Sequence, residues 1–98
     1  MGVVMERGKI LDEAKGIING ERVNTYGKPE DSFTFIAEFW TAHLHACGYM
    51  PLDKKLTKKD AQMMLAEFKF ARETQQGKRD NLVDAAGYIG LAGDDYDS

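Results

Sequence analysis

Apolar residues in this chain recur every three to four positions, and four stretches with that period can be read along it. In the first, about Glu6 to Asn19, Ile10, Leu11, Ala14, Ile17 and Ile18 share one side, while Asp12, Glu13 and Lys15 fall on the other. Gly20 is a stop signal, although the pattern also lets the helix run on toward Tyr26. A loop from Gly20 to Pro29 follows, in which Gly27 suits a positive φ and Pro29 suits the first turn of a new helix. The second stretch runs from Pro29 to about Cys47. Phe33, Ile36, Ala37, Trp40 and Leu44 form its apolar stripe, and Phe35 and Phe39 lie on a second side. A helix apolar on two sides needs two partners, which predicts a central position or a subunit interface.

Gly48 ends that helix and opens a linker, with Pro51, that reaches Leu56. Thr57-Lys58-Lys59-Asp60 has the form of a capping box with Asp in place of Glu, so it predicts the start of a third helix. That helix extends to about Gln75, with Ala61, Met64, Leu65, Phe68 and Ala71 expected to face the core. Residues 76–79 make a short turn, and a fourth helix is expected from Asp80 to about Leu91. Leu82, Ala86, Ile89 and Gly90 lie near one side of it. Ala85, Ala86, Gly87 and Gly90 are small enough to let another helix approach closely. No segment alternates at period two long enough for a strand, and no repeat is visible. The fold class predicted is all-α: a small bundle of about four helices, completed by oligomerisation.

Composition narrows the picture. With 98 residues the chain is one small domain that gains much from association. Residues 1–93 read as that domain and the acidic end, 94–98, as a disordered tail. The net charge is −3, and the tail holds three of the 16 acids, leaving 13 acids against 13 bases in the body. A neutral body argues against a nucleic-acid surface, which needs a basic excess. No stretch approaches the length of a membrane span, and no signal-like run opens the chain. Cys47 is the single cysteine, so no internal disulfide forms, and a cytoplasmic protein is expected. A lone thiol on an apolar helix reads as core filler.

The chemistry-bearing residues are charged and aromatic. Asp80 and Asp84 differ by roughly 40° on a helix and share one face. Such a pair serves a cation or a basic cluster, or caps the helix and meets solvent. Magnesium is the metal these acids fit; Glu67 is the third candidate ligand, reachable if the third and fourth helices pack antiparallel. Glu38 and Asp60 are further acids of the same kind. Lys69 and Arg72 suit a phosphate, the Arg as a planar fork and the Lys as a point charge; their alternative is ion pairing with Glu73 or the acids of helix four. Arg22, Tyr26 and Lys28 offer a second basic and stacking group, or else close the bundle end. His43 and His45, two apart, point in opposed directions and cannot chelate one zinc ion from a regular helix. Phosphate loops, nucleophile elbows and Cys/His nucleophile pairs are missing, so metal-assisted hydrolysis is the reaction this inventory fits best.

These motifs resemble a family of small helical phage and prophage proteins of unknown function. The resemblance rests on Ile10-Leu11-Asp12-Glu13-Ala14, on Arg22-x-x-x-Tyr26-Gly27-x-Pro29-x-x-x-Phe33-x-x-Ile36-Ala37-x-x-Trp40, on Asp60 with Lys69-x-x-Arg72, and on Asp80-x-x-x-Asp84-x-x-Gly87-Tyr88. It implies an α-helical fold and a phage connection, not a reaction. More distantly, the chain resembles the MazG-like all-α nucleoside triphosphate pyrophosphohydrolases, which hold Mg²⁺ with E-x-x-E and E-x-x-D on successive helices. Asn81-Leu82-Val83-Asp84 stands at the second motif, with Asp80 beside it, and no E-x-x-E is present.

Together these readings predict a protein that binds a phosphorylated nucleotide, sequestering it or splitting it with Mg²⁺. Arg22, Lys69 and Arg72 would hold phosphate, Tyr26 or Tyr88 would stack on the base, and Asp80 with Asp84 would hold the metal or ribose hydroxyls. The alternative is a non-catalytic adaptor that binds and inhibits a host protein through an exposed apolar patch.

Overall fold

A computed structural model describes residues 7–20 and 29–97. Arg22, Tyr26 and Lys28 lie outside the described residues. Within them are four helices and no strands: α1 (Lys9–Asn19), α2 (Pro29–Ala46), α3 (Lys58–Gln75) and α4 (Arg79–Asp97). The expected all-α bundle is what forms.

Local chemistry sets the helix ends. At α3, the Thr57 side chain accepts from the Asp60 N–H at 3.2 Å, and the Asp60 carboxylate accepts from the Thr57 N–H at 2.8 Å. Two otherwise unpaired donors are thereby satisfied at once. Past the end of α2, Gly48 takes φ +73°, a conformation that strains any residue with a Cβ. The Gly48 N–H then bonds to the His45 carbonyl at 3.1 Å and the Tyr49 N–H to that of Leu44 at 2.9 Å, closing a Schellman motif. The linker is tied back to α2: the Leu56 N–H donates to Thr41 Oγ1 at 2.9 Å, and His45 Nε2 bonds to the Lys54 carbonyl at 2.7 Å.

Packing follows the order α1, α4, α3, α2. The α3–α4 hairpin is antiparallel, with Lys69 opposite Asp84, Glu73 opposite Asn81, and Lys59 opposite Tyr96. α1 lies on the far side of α4, held by the Arg79–Glu13 ion pair and by Ile18 against Gly87 and Gly90. α2 meets the other two through its packing on α3 and an edge-on contact of Phe33 with the Tyr88 ring, centroids 6.0 Å apart.

Two expected faces are corrected. On α3, Ala61 is fully buried and Leu65 half-buried as expected, but Met64, Phe68 and Ala71 are exposed. The covered stripe instead follows Gln62, Ala66, Lys69 and Glu73, because α4 packs on that side. On α4, Leu82 and Ile89 are exposed, whereas Asn81, Val83, Ala85, Gly87 and Ala92 are buried. α4 sits between α3 and α1, so it needs two covered sides, and the small residues occupy both. The helix also continues to Asp97, into the segment expected to be a disordered tail. Lys59 anchors that last turn, donating to the Tyr96 hydroxyl with its Nζ 3.9 Å from the ring centroid.

The resulting core is thin. Among the described residues no large side chain is fully buried, and the nearly buried apolar set is Phe33, Val83 and alanines. A fully buried Phe or Val contributes roughly 1.5–3 kcal/mol and an alanine much less. The chain is also long, 61 × 31 × 25 Å with a radius of gyration of 16.0 Å, against about 13 Å for a compact domain of this length.

Candidate functional site

Of the charged residues singled out in the sequence, Lys69 and Asp84 meet across the α3–α4 hairpin. Lys69 Nζ lies 3.0 Å from an Asp84 carboxylate oxygen, and both side chains are about four-fifths buried. Arg72 is nearly one turn along α3 from Lys69, and Asp80 one turn back along α4 from Asp84, so helical spacing and the antiparallel register bring all four to one side. One cation meets one anion across the seam, with Arg72 and Asp80 exposed beside them. Lys69 thus has the partner its alternative reading named, an acid of helix four.

Phe68 belongs to the same side. It is half exposed, with the Lys69 ammonium 5.7 Å and the Arg72 guanidinium 5.6 Å from its ring centroid. Cations at that distance over an aromatic face are attracted by the ring quadrupole. The helical period alone places Phe68 in the core; the basic pair beside it, at i+1 and i+4, is the sequence signal for its exposed position. Tyr88, expected to stack on a base, is half-buried, and its ring packs against Phe33.

Below this group the seam remains polar. A Glu73 carboxylate oxygen accepts from the Lys78 N–H at 2.9 Å and from the Asn81 amide at 3.1 Å. Those two bonds, the backbone one first, hold the Glu73 carboxyl below its ordinary range. The Asn81 amide also reaches the Gln76 carbonyl at 3.3 Å, so Asn81 staples the turn. At the other end, Gln62 is 2% exposed and its Oε1 has no hydrogen-bond partner among the described residues. Apolar side chains would pack this interface at lower cost, since an orphaned buried oxygen costs about 1–3 kcal/mol.

Glu67 does not join the two aspartates. It lies on the opposite side of α3, because it is two residues from Lys69 and points nearly away from it. Among the described residues no three His, Cys, Asp or Glu side chains converge to hold a metal ion. Asp80 and Asp84 remain as a pair. The histidines diverge as expected: His45 turns to the linker, and His43 Nε2 lies 3.9 Å from the Cys47 thiol. Cys47, in the turn just past the end of α2, is exposed rather than core filler. A shallow cleft of about 220 Å³ between α2 and the linker is lined by Glu38, Thr41, Ala42, His45, Lys55 and Leu56, away from the charged group. No described helix is long and apolar enough to cross a membrane.

Comparison with known proteins agrees with the resemblance seen in the sequence. The family model for a domain of unknown function, DUF6378, matches residues 9–95. The chain is 34% identical over 83 residues to the Gene 55 protein of Mycobacterium phage L5 and 37% identical over 82 residues to the Gene 55 protein of Mycobacterium phage D29. These alignments take in 84% and 83% of this chain and 49% of each relative, so the chain spans about half the length of the curated relatives it matches. No solved structure matches. The matched span takes in the first three helices, all but the last two residues of α4 and the charged side of the hairpin, and the chain belongs to the DUF6378 family of domains of unknown function, with relatives in phages.

Proposed function

We propose that this domain binds a phosphorylated nucleotide on the side of the hairpin that carries Lys69, Arg72, Asp80 and Asp84. One observation carries the reading: a charge pair, four-fifths buried, sits between two helices where apolar residues would be cheaper. Removing two charges from water costs several kcal/mol per ion before any gain, so such a pair is weak support for stability. It makes sense as a poised site. Arg72 would fork onto phosphate, Lys69 would follow once released from Asp84, and Phe68 offers a half-exposed ring to a base. Asp84, freed of Lys69, would join Asp80 in holding a Mg²⁺ ion that arrives with the ligand. The balance of two against two means that a triphosphate alone upsets the local charge, and a cation restores it.

Binding without turnover is the version we favour, because hydrolysis would require further metal ligands beside Asp80 and Asp84. Calorimetry with nucleoside triphosphates, with and without Mg²⁺, is the test. Binding should strengthen with Mg²⁺. Arg72→Ala should weaken it by ~1.5–3 kcal/mol, the range of a charge-assisted bond, and Asp84→Asn should mainly remove the Mg²⁺ dependence. Binding that survives Arg72→Ala unchanged would put the site elsewhere. A second reading, an adaptor that inhibits a host protein, draws support from Phe35 and Phe39, which are 59% and 75% exposed on one stripe of α2. An absence of heat with every nucleotide would favour it.

A further inference from the structure

The side of the hairpin opposite the charged group is apolar and uncovered. Met63 and Phe70 are seven apart on α3, and Leu82 and Ile89 are seven apart on α4, so each pair forms one stripe. The antiparallel register sets the stripes side by side, on the side where Lys59 meets Tyr96. The four residues are 44%, 49%, 40% and 49% exposed. Ala86 falls between Leu82 and Ile89 on α4 and Gly93 one turn beyond Ile89, and the charges nearby, Lys59 and Glu67, stand at the margins. Large residues at seven-residue spacing with small ones between them are what facing helix pairs interdigitate at a shallow crossing angle.

We infer that a second copy of this chain covers this side, the two hairpins closing a four-helix bundle about a two-fold axis. Two observations choose a second copy as the occupant. First, no large side chain is fully buried within one described copy, so pairing would supply the core that the described helices lack. Second, the surface suits itself: about a two-fold axis the apolar stripes of one hairpin meet those of the other, and a net charge of −3 opposes pairing only weakly. The Phe35–Phe39 stripe was the surface expected to associate from sequence. It lies on one helix, whereas the hairpin side spans two.

Light scattering on the full chain between 1 and 200 µM tests this. The expected mass is twice the 11.0 kDa of one chain, with a Tm that rises with concentration. Phe70→Glu with Ile89→Glu should give the single-chain mass, and Phe35→Glu with Phe39→Glu should leave the dimer in place. If the first pair also abolishes the helical circular dichroism, Met63→Gln with Leu82→Gln, both helix-compatible, should still weaken the dimer at least tenfold. A wild-type chain of single mass with a concentration-independent Tm overturns the inference. So does dissociation by the α2 pair alone, or a dimer undiminished by the hairpin substitutions.

Discussion

Substitutions at Gly87 put a number on how closely α1 lies on α4. Gly87 is buried mid-helix, and a Cβ built there would lie 3.4 Å from Ile18 Cγ2, an ordinary van der Waals contact. An alanine therefore fits without displacing α1. It also recovers the helix propensity that glycine lacks, about 0.5–1 kcal/mol. Leucine differs: its three further carbons must enter space that Ile18 fills, and overpacking of that kind costs ~1–3 kcal/mol. Each kcal/mol moves the Tm of a domain this size by roughly 4–8 °C. Thermal denaturation followed by circular dichroism should thus rank Gly87→Ala above wild type and Gly87→Leu below it, with Ile18→Ala reducing the penalty of the leucine. Gly90 sharpens the comparison, since its Cβ would come within 3.1 Å of Ile18 Cδ1. The tip of Ile18 must shift there, so Gly90→Ala should gain less than Gly87→Ala. A Gly87→Leu variant that melts no lower than wild type would mean that α1 does not pack here.

Two predictions concern the ends of α3. Thr57→Ala removes the capping hydroxyl and should cost about 1 kcal/mol, read as a fall in Tm, while Thr57→Ser should stay near wild type. The bonds from Lys78 and Asn81 depress the Glu73 carboxyl in the folded chain, so their stabilisation is full above the ordinary carboxylate pKa and is lost as pH falls through the lowered folded value. The Tm gap between wild type and Glu73→Gln should accordingly be widest near neutral pH and close on acidification below about pH 4; a gap that stays constant with pH would show that the charge on Glu73 does not matter.

The helix ends were legible in the sequence because they are set by neighbouring residues. Thr57 with Asp60, Gly48 after α2 and Pro29 at its start each act within a few positions, and the boundaries of α2 and α3 fall where those residues put them. The faces were less legible. Periodicity identifies a buried side when that side alone is apolar, and α3 and α4 carry apolar residues nearly all round. Met64 and Phe68 outweighed Gln62 and Lys69 on any hydropathy scale, yet it is the polar stripe that α4 covers. Pairings across the fold, such as Ile18 on Gly90 or Lys59 on Tyr96, depend on tertiary placement, to which no local signal points. Of the candidate residues, the pairing of Lys69 with an acid of the fourth helix was legible because a short turn forces the two helices antiparallel. Glu67 does not join, although the helices pack antiparallel as its reading required, because it lies on the side of α3 turned away from α4.

The hairpin is inverted relative to an ordinary two-helix unit, with charges and amides in its seam and Phe, Met, Leu and Ile outside. Neither half of that arrangement favours an isolated monomer. The seam gives up packing energy that Leu or Ala would supply, and the outer residues stay in contact with water. The two costs call for different compensations: a ligand or ion can engage the charges, but only another apolar surface can relieve the outer residues. Because the two sides of the hairpin face apart, the compensations are separable by experiment. Substituting Phe70 and Ile89 should change the mass of the assembly and leave Arg72 and Asp84 in place to respond to nucleotide, while Arg72→Ala should change the response to nucleotide and leave the mass alone. Loss of both properties from either set of substitutions would mean that the hairpin folds only in the assembled state, and the charged side would then belong to the assembly rather than to the single chain.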